Sequence, residues 1–344
     1  MTDVAISIKA ALESINGSKH IYPATFADTG HNLVGYDKAT GKAEAVQVDS
    51  VGSFANRIEA ELHGLDILPS ITTSVGDRVL SVHELPHRVY DAILRDSLLD
   101  DTSWRQSDIG AKVLASTTTN ATALYKHAPL TLLLGGWDSH GGDAGTGSKI
   151  ARSVSCEIWG YGVQTAMHCT QRIDPLGITA DNEKHAVIDG ILQPDTSGKK
   201  PSELGHGDVP SSDKKGVFID RIELNGAISL TRLSRYHFPD NNGDIDQERD
   251  KAGCEVLFQL ALVGIARVMD RLDLRSGCEL YTTSRDAQLV SSDGSKKPVD
   301  LDTATDKLQG AIAKAAEKGL EFASEPVQLK AGPALERLAA KGGV

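Results

Sequence analysis

Leu130-Thr131-Leu132-Leu133-Leu134-Gly135-Gly136-Trp137-Asp138-Ser139-His140-Gly141-Gly142-Asp143-Ala144-Gly145-Thr146-Gly147-Ser148-Lys149-Ile150 is the stretch on which the reading of this chain turns. The short apolar run Leu130–Leu134 predicts a buried strand. A glycine-dense loop from Gly135 to Gly147 follows it. Val154 to Val163 then predicts another strand.

Working outward towards the N-terminus, Ala111 to Lys126 is rich in Ala and Thr and predicts a helix in its second half, ended by Pro129. Pro86 to Leu98 predicts a helix with Val89, Ile93 and Leu94 on one face. Ser53 or Asn56 is placed to cap a helix through Ile58, Leu62 and Leu65 that stops before Pro69. Asp28 to Ala43 reads as a hairpin or loop with its turn at Asp37–Lys42, and Val4 to Ile15 has apolar residues at helical spacing. Towards the C-terminus, Asp174 to Asp213 is rich in Gly, Pro, Asp, Ser and Lys and predicts a surface insertion. Val217 to Leu233 predicts two strands around the turn dipeptide Asn225-Gly226. Cys254 to Leu272 is the longest helix, apolar on most faces, and Asp302–Lys318 and Pro333–Lys341 are later helices. Strands and helices mixed without regular βα alternation indicate an α+β fold. No internal repeat is visible.

Composition sets bounds. Of the 344 residues, 40% are hydrophobic and 24% charged, ordinary for a globular chain with a substantial core. No run of about 18 apolar residues appears and the N-terminus lacks an apolar signal core, so a cytoplasmic protein without a membrane partner is expected. Cys156, Cys169, Cys254 and Cys278 have no CxxC spacing, which argues for reduced thiols and against zinc. The formal net charge of −11 opposes nucleic-acid binding at first sight, but distribution outweighs the sum. From Gly110 to Thr170, Lys112, Lys126, Lys149 and Arg152 face only Asp138, Asp143 and Glu157. From Lys214 to Arg235, Lys214, Lys215, Arg221, Arg232 and Arg235 face Asp220 and Glu223, while acid gathers at 96–101 and 240–250.

Glycines let a ligand approach the backbone closely, and successive amides in such a loop form anion-binding nests. Ser139, Ser148, Lys149 and Arg152 add donors suited to phosphate oxygens. Gly142 to Lys149 nearly fits the phosphate-binding G-x-x-x-x-G-K-[ST] loop of nucleotide hydrolases. Its last two positions are inverted, as Gly147-Ser148-Lys149, which moves both the lysine and the metal-binding hydroxyl out of place.

Gly135-Gly136-Trp137-Asp138-Ser139, the glycine-rich gap, Lys149-Ile150-Ala151-Arg152 and Ser155-Cys156-Glu157-Ile158-Trp159-Gly160-Tyr161 together resemble the signature of the CRISPR-associated backbone proteins of type I-G (formerly I-U) systems, the Cas-seven type of the RAMP superfamily. Ser53-Phe54-Ala55-Asn56-Arg57-Ile58-Glu59 is similar to an early element of that family, and Ser229-Leu230-Thr231-Arg232-Leu233-Ser234-Arg235 to its basic strand. The resemblance implies one domain over 1–344 with an RRM-like, or ferredoxin-like, core: an antiparallel sheet with packed helices and large loop insertions. Residues 174–213 would be a protruding insertion and 318–344 a C-terminal helical tail. It implies a non-enzymatic subunit that needs no cofactor and no metal. Copies would stack along guide crRNA, grip its phosphates and present it to target DNA beside other Cascade subunits, sequence being read by base pairing.

The RNA-binding residues so implied are Asn56, Arg57, Trp137, Ser139, His140, Ser148, Lys149, Arg152, Arg232 and Arg235. Each has a competing role. Arg57 has Glu61 at i,i+4 as an ion-pair partner. Trp137 suits a core as well as a stacking surface. Lys149 and Arg152 share a face if the segment is helical, and Arg232 and Arg235 lie on opposite faces if theirs is a strand. Asp138 and Asp143 raise a second possibility, a metal-dependent ribonuclease of the same superfamily, although no further carboxylate lies close by in sequence.

Overall fold

The computed structural model describes residues 2–139, 147–166, 172–178, 182–208 and 216–342. Five long strands, β1 (Asp3–Ser14), β2 (Lys42–Asp49), β3 (Val154–Thr165), β4 (Arg221–Ser229) and β5 (Leu280–Ser291), form the body of the main sheet. They lie in the order β5-β1-β4-β3-β2, and every neighbouring pair is antiparallel. Helix α1 (Val51–His63) precedes β3, and helix α3 (Gln247–Asp270) joins β4 to β5. Leaving aside β2, the chain runs β1-α1-β3-β4-α3-β5 with spatial order 4-1-3-2. That is the split βαβ arrangement of the ferredoxin-like fold, so the α+β expectation holds.

Several local expectations are overturned; Pro86–Leu98, for one, is α-helical only at Ala92–Arg95 and enters a strand at Ser97. Val4 to Ile15 is not a helix: all of it but Ile15 lies in β1, and the decisive pattern has period two. Ile6, Ile8, Ala10 and Leu12 are buried while Lys9 and Ala11 are exposed, and pairing on both sides with β4 and β5 fixes the strand. Leu130–Leu134 is not a strand. It belongs to the short helix α2 (Pro129–Leu134), every residue of which is buried. Pro129 opens this helix at its first position, where the missing N–H costs nothing, and a continuous apolar run carries no period to separate the two structures. Asn225-Gly226 is not a turn, because β4 runs straight through it. Gly226 pairs with Ile8 on one side and Cys156 on the other. A Cβ there would lie 2.5 Å from the Cys156 Sγ, so glycine answers a packing need rather than a turn.

The core lies between the sheet and α1 and α3. Ser50 caps α1, its hydroxyl accepting from the Ser53 amide at 3.2 Å, three residues before Ser53 and six before Asn56, the expected caps. Phe54, Ile58 and Leu62 point inward from α1. Ile58 and Leu62 meet α3 at Gly264, where a Cβ would come within 2.6 Å of Ile58. By length and composition α3 has the character of a membrane-crossing helix, yet most of it is buried within the fold. Helix α4 (Ala304–Glu317) buries Leu308, Ala311 and Ala315.

A second, five-stranded sheet is built from Ile71–Val75, Arg78–Ser81, Ser97–Leu99, Thr102–Ser103 and Val327–Ala331. Its one parallel pair joins Val327–Lys330 to Ile71–Ser74, which ties the C-terminal segment to the chain just after α1. The expected helical tail is therefore helical only in α5 (Pro333–Lys341), beyond this strand. Between β3 and β4, His185–Ile188 and Ile191–Pro194 form a separate hairpin, with Val187 and Ile191 exposed near its tip.

Candidate nucleic-acid interface

Helix α2 ends at Gly135, whose φ of 79° no branched side chain adopts readily. A Cβ on Gly135 would sit 3.0 Å from the Arg152 amide nitrogen, so the glycine lets two backbones run against each other. Gly136–Trp137 then pairs antiparallel with Lys149–Ile150, closing the loop between them. The Ser153 amide donates to the Leu133 carbonyl at 2.7 Å, which fastens the start of β3 to α2. The glycines at 135, 136 and 147 thus serve contacts within the protein. Gly136 faces the Tyr90 ring and Gly147 the Asp138 carbonyl, each too close for a Cβ.

This arrangement leaves a groove of about 460 Å³ lined by Pro86–Arg88, Leu134–Trp137, Ser139 and Lys149–Arg152. Trp137 is 60% exposed beside it, with the Lys149 Nζ 5.8 Å from the ring centroid. Lys149 is exposed and Arg152 half-buried, its Nε donating to the Leu134 carbonyl at 3.0 Å. Lys149 and Arg152 reach the same groove from an extended segment, not from a helical turn. Arg232 donates a guanidinium N–H to the Arg152 carbonyl. It sits on the single-turn helix Leu230–Leu233 that follows β4, where a basic strand was expected, so Arg232 and the exposed Arg235 lie about one helical turn apart. Among the described residues, no carboxylate lies within ion-pair distance of Lys149, Arg152, Arg232 or Arg235.

The remaining expected site residues are placed differently. Ser148 donates to the Ser116 carbonyl at 2.7 Å and accepts from the Tyr90 hydroxyl, so its Oγ is engaged inside the fold. Ser139 is exposed on the groove rim. Asn56 is exposed on α1. Arg57 pairs with the fully buried Asp49 at 3.2 Å and donates to the Leu274 carbonyl at 3.3 Å. Glu61, the alternative partner for Arg57, is paired with Arg267 instead. His140 and Asp143 lie outside the described residues, as does Cys169. Cys156, Cys254 and Cys278 are free thiols, and burial pushes the first two up to about 12.

Residues that sequence reasoning missed form the wall behind the groove. Arg88, buried, grips Glu59 of α1 through two bonds of 2.7 Å and donates a third to the Gly135 carbonyl at 3.1 Å. Arg105 closes on Asp138 with bonds of 2.8 and 2.7 Å. These partners stand 29 and 33 positions apart, and nothing local in the sequence announces them. With both Asp138 oxygens held by Arg105, that carboxylate is a structural partner. Among the described residues, no three Asp, Glu, His or Cys side chains gather as a metal site. A larger cavity, about 660 Å³, lies between Asp108–Lys112, Lys126–His127 and Pro239–Gly243. Asp108 and Asp240 offset its lysines, and it contains none of the expected site residues.

Comparison with known proteins bears on the same region. No curated protein matches the chain. A solved chain from an assembly described as "CRISPR RNA-guided surveillance complex, pre-nicking" superposes with 12% identity and a TM-score of 0.37, covering 99% of this chain and 100% of that one. A superposition that loose carries no argument. Residues 6–165, just under half of the chain, match the family described as "CRISPR-associated protein GSU0053". From Ile6 in β1, through Glu59, Arg88 and the groove, to the last residue of β3, this part of the chain is similar to a CRISPR-associated family.

Proposed function

We propose that the protein is a non-catalytic backbone subunit of a type I-G CRISPR effector, binding guide crRNA through the groove at Trp137, Lys149 and Arg152. The observation that carries this reading is electrostatic. In a molecule of net charge −11, four neighbouring cations, Lys149, Arg152, Arg232 and Arg235, have no carboxylate partner among the described residues. Cations without partners invite phosphate, and a strand contacting several of them would neutralise several of its phosphates at once. An exposed indole beside them suits a base that has left its stack. Copies would line up along one guide, the hairpin between β3 and β4 would reach away from the sheet, and the guide would be offered to target DNA beside other subunits of the complex. Cleavage would belong to a separate component.

Expressing the chain together with a CRISPR array tests the proposal. Nuclease-protected RNA in ladder-like lengths should co-purify with an oligomer of the chain. A monomer free of nucleic acid under those conditions would overturn the assignment.

A further inference from the structure

Behind the groove, one of two guanidiniums holds the carboxylate of Glu59 alone. Arg88 has a φ of 52°, the left-handed region that a side chain of its kind rarely enters. Such a conformation persists when its surroundings over-determine it, and such outliers gather at functional sites. Here the constraint is threefold: both Glu59 oxygens and the Gly135 carbonyl accept from the same guanidinium. Both Glu59 oxygens are thereby engaged, and Arg152 is left without an anion. Burial, and next the charge of Arg88, disfavour the Arg152 cation where it stands, while Glu59 favours it only at a distance. Arg88, Arg152 and Lys149 together carry three positive charges against the one negative charge of Glu59.

The geometry points to an oxyanion site of the phosphate class in this groove, contacted by Arg152 and Lys149, with Arg88 as the residue that positions it. The mechanical link is short. Arg88 holds the Gly135 carbonyl, and the Gly135 backbone presses against that of Arg152, whose Nε is in turn fixed on the neighbouring Leu134 carbonyl. Only the guanidinium edge of Arg152 remains for a ligand, and a planar fork matches the tetrahedral oxygens of phosphate. The site deepens the proposed function, resting on it for the source of the phosphate but not for the existence of the site.

Titration calorimetry with inorganic pyrophosphate, in parallel with a single-stranded oligouridine, tests both parts. Wild type should bind pyrophosphate, and Arg152→Gln should weaken it by about tenfold or more, the loss expected for one charged hydrogen-bonding contact. Arg88→Lys keeps the charge beside Glu59 but loses the reach to Gly135, and should weaken binding while the protein stays folded. A second variant, Glu59→Met with Arg88→Met, replaces the buried pair by apolar groups of similar size, an exchange that folds commonly tolerate. Adding Arg152→Gln to either variant should cost less than it costs in wild type, because all of them act on the same contact. Failure of wild type to bind pyrophosphate overturns the site. Losses that multiply, or Arg88 variants that bind like wild type, overturn the positioning role. Pyrophosphate bound in the groove with oligouridine ignored keeps the site and refutes the nucleic-acid reading.

Discussion

Lys149 and Arg152 are the residues on which an RNA grip would depend most directly. Each phosphate neutralised on a single strand contributes a slope of about −0.7 to log affinity against log salt. Reversing both charges, Lys149→Glu with Arg152→Glu, should therefore lower affinity and flatten the slope by roughly 1.4. An unchanged slope in a filter-binding series would remove both from the RNA path. Asp138 gives the opposite kind of forecast. Its side chain is 4% exposed and both oxygens are held by Arg105. Asp138→Ala should lower unfolding free energy by up to about 3 kcal/mol, since removing one partner strands the other charge, although Arg105 retains some solvent. Denaturant melts measure this directly. Loss of a magnesium-dependent cleavage in Asp138→Ala, with stability intact, would instead revive the ribonuclease alternative.

At the scale of elements, legibility followed the range of the determining contact. The helix α5 was readable at Pro333–Lys341 and the strand β3 from Val154, because each is specified by its own residues. Gly226 misled because the same Asn-Gly pair that turns a hairpin also serves a central strand squeezed between Ile8 and Cys156, a fact set by residues far away in sequence. The same division runs through the site. Trp137, Lys149 and Arg152 were visible as a local cluster, whereas Arg88 with Glu59 and Arg105 with Asp138 depended on pairings that only the fold makes. Another such pairing joins the end of α1 to the second sheet. His83 packs beside His63, ring centroids 5.2 Å apart, with the Pro69 carbonyl 3.4 Å from its Nε2. Burial first, then the charges of His63 and Arg88, hold the His83 ring down at about 4 from its ordinary 6.5, Glu84 and the Pro69 carbonyl opposing. The unfolded chain therefore binds the extra proton between those values. The contribution is whole above pH 6.5 and is lost as pH falls towards 4, up to about 3 kcal/mol. In denaturant titrations at pH 7 and pH 5, His83→Gln should lose less stability on acidification than wild type. Equal losses would place the acid sensitivity elsewhere.

For the molecule as a whole, the net charge of −11 and the cluster of cations at the groove act over different distances. Salt sets which of them a nucleic acid feels. The screening length is about 10 Å at 0.1 M and about 30 Å at 0.01 M. Near 0.1 M and above, a bound strand feels chiefly the cations it touches, and up to four contacts give a log–log slope of about −3. Towards 0.01 M the acidic remainder of the molecule comes within range and repels the strand, and copies bound side by side repel one another as well. Affinity for a single-stranded RNA should therefore rise as salt is lowered from 0.3 M, then level off or fall before 0.01 M. The bend should be sharper for a strand long enough to hold several copies than for one that holds a single copy. A straight log–log line down to the lowest salt, identical for both lengths, would mean that the acidic surface lies too far from the strand to be felt. The cations at Lys149, Arg152, Arg232 and Arg235 would then act as if the rest of the protein were neutral.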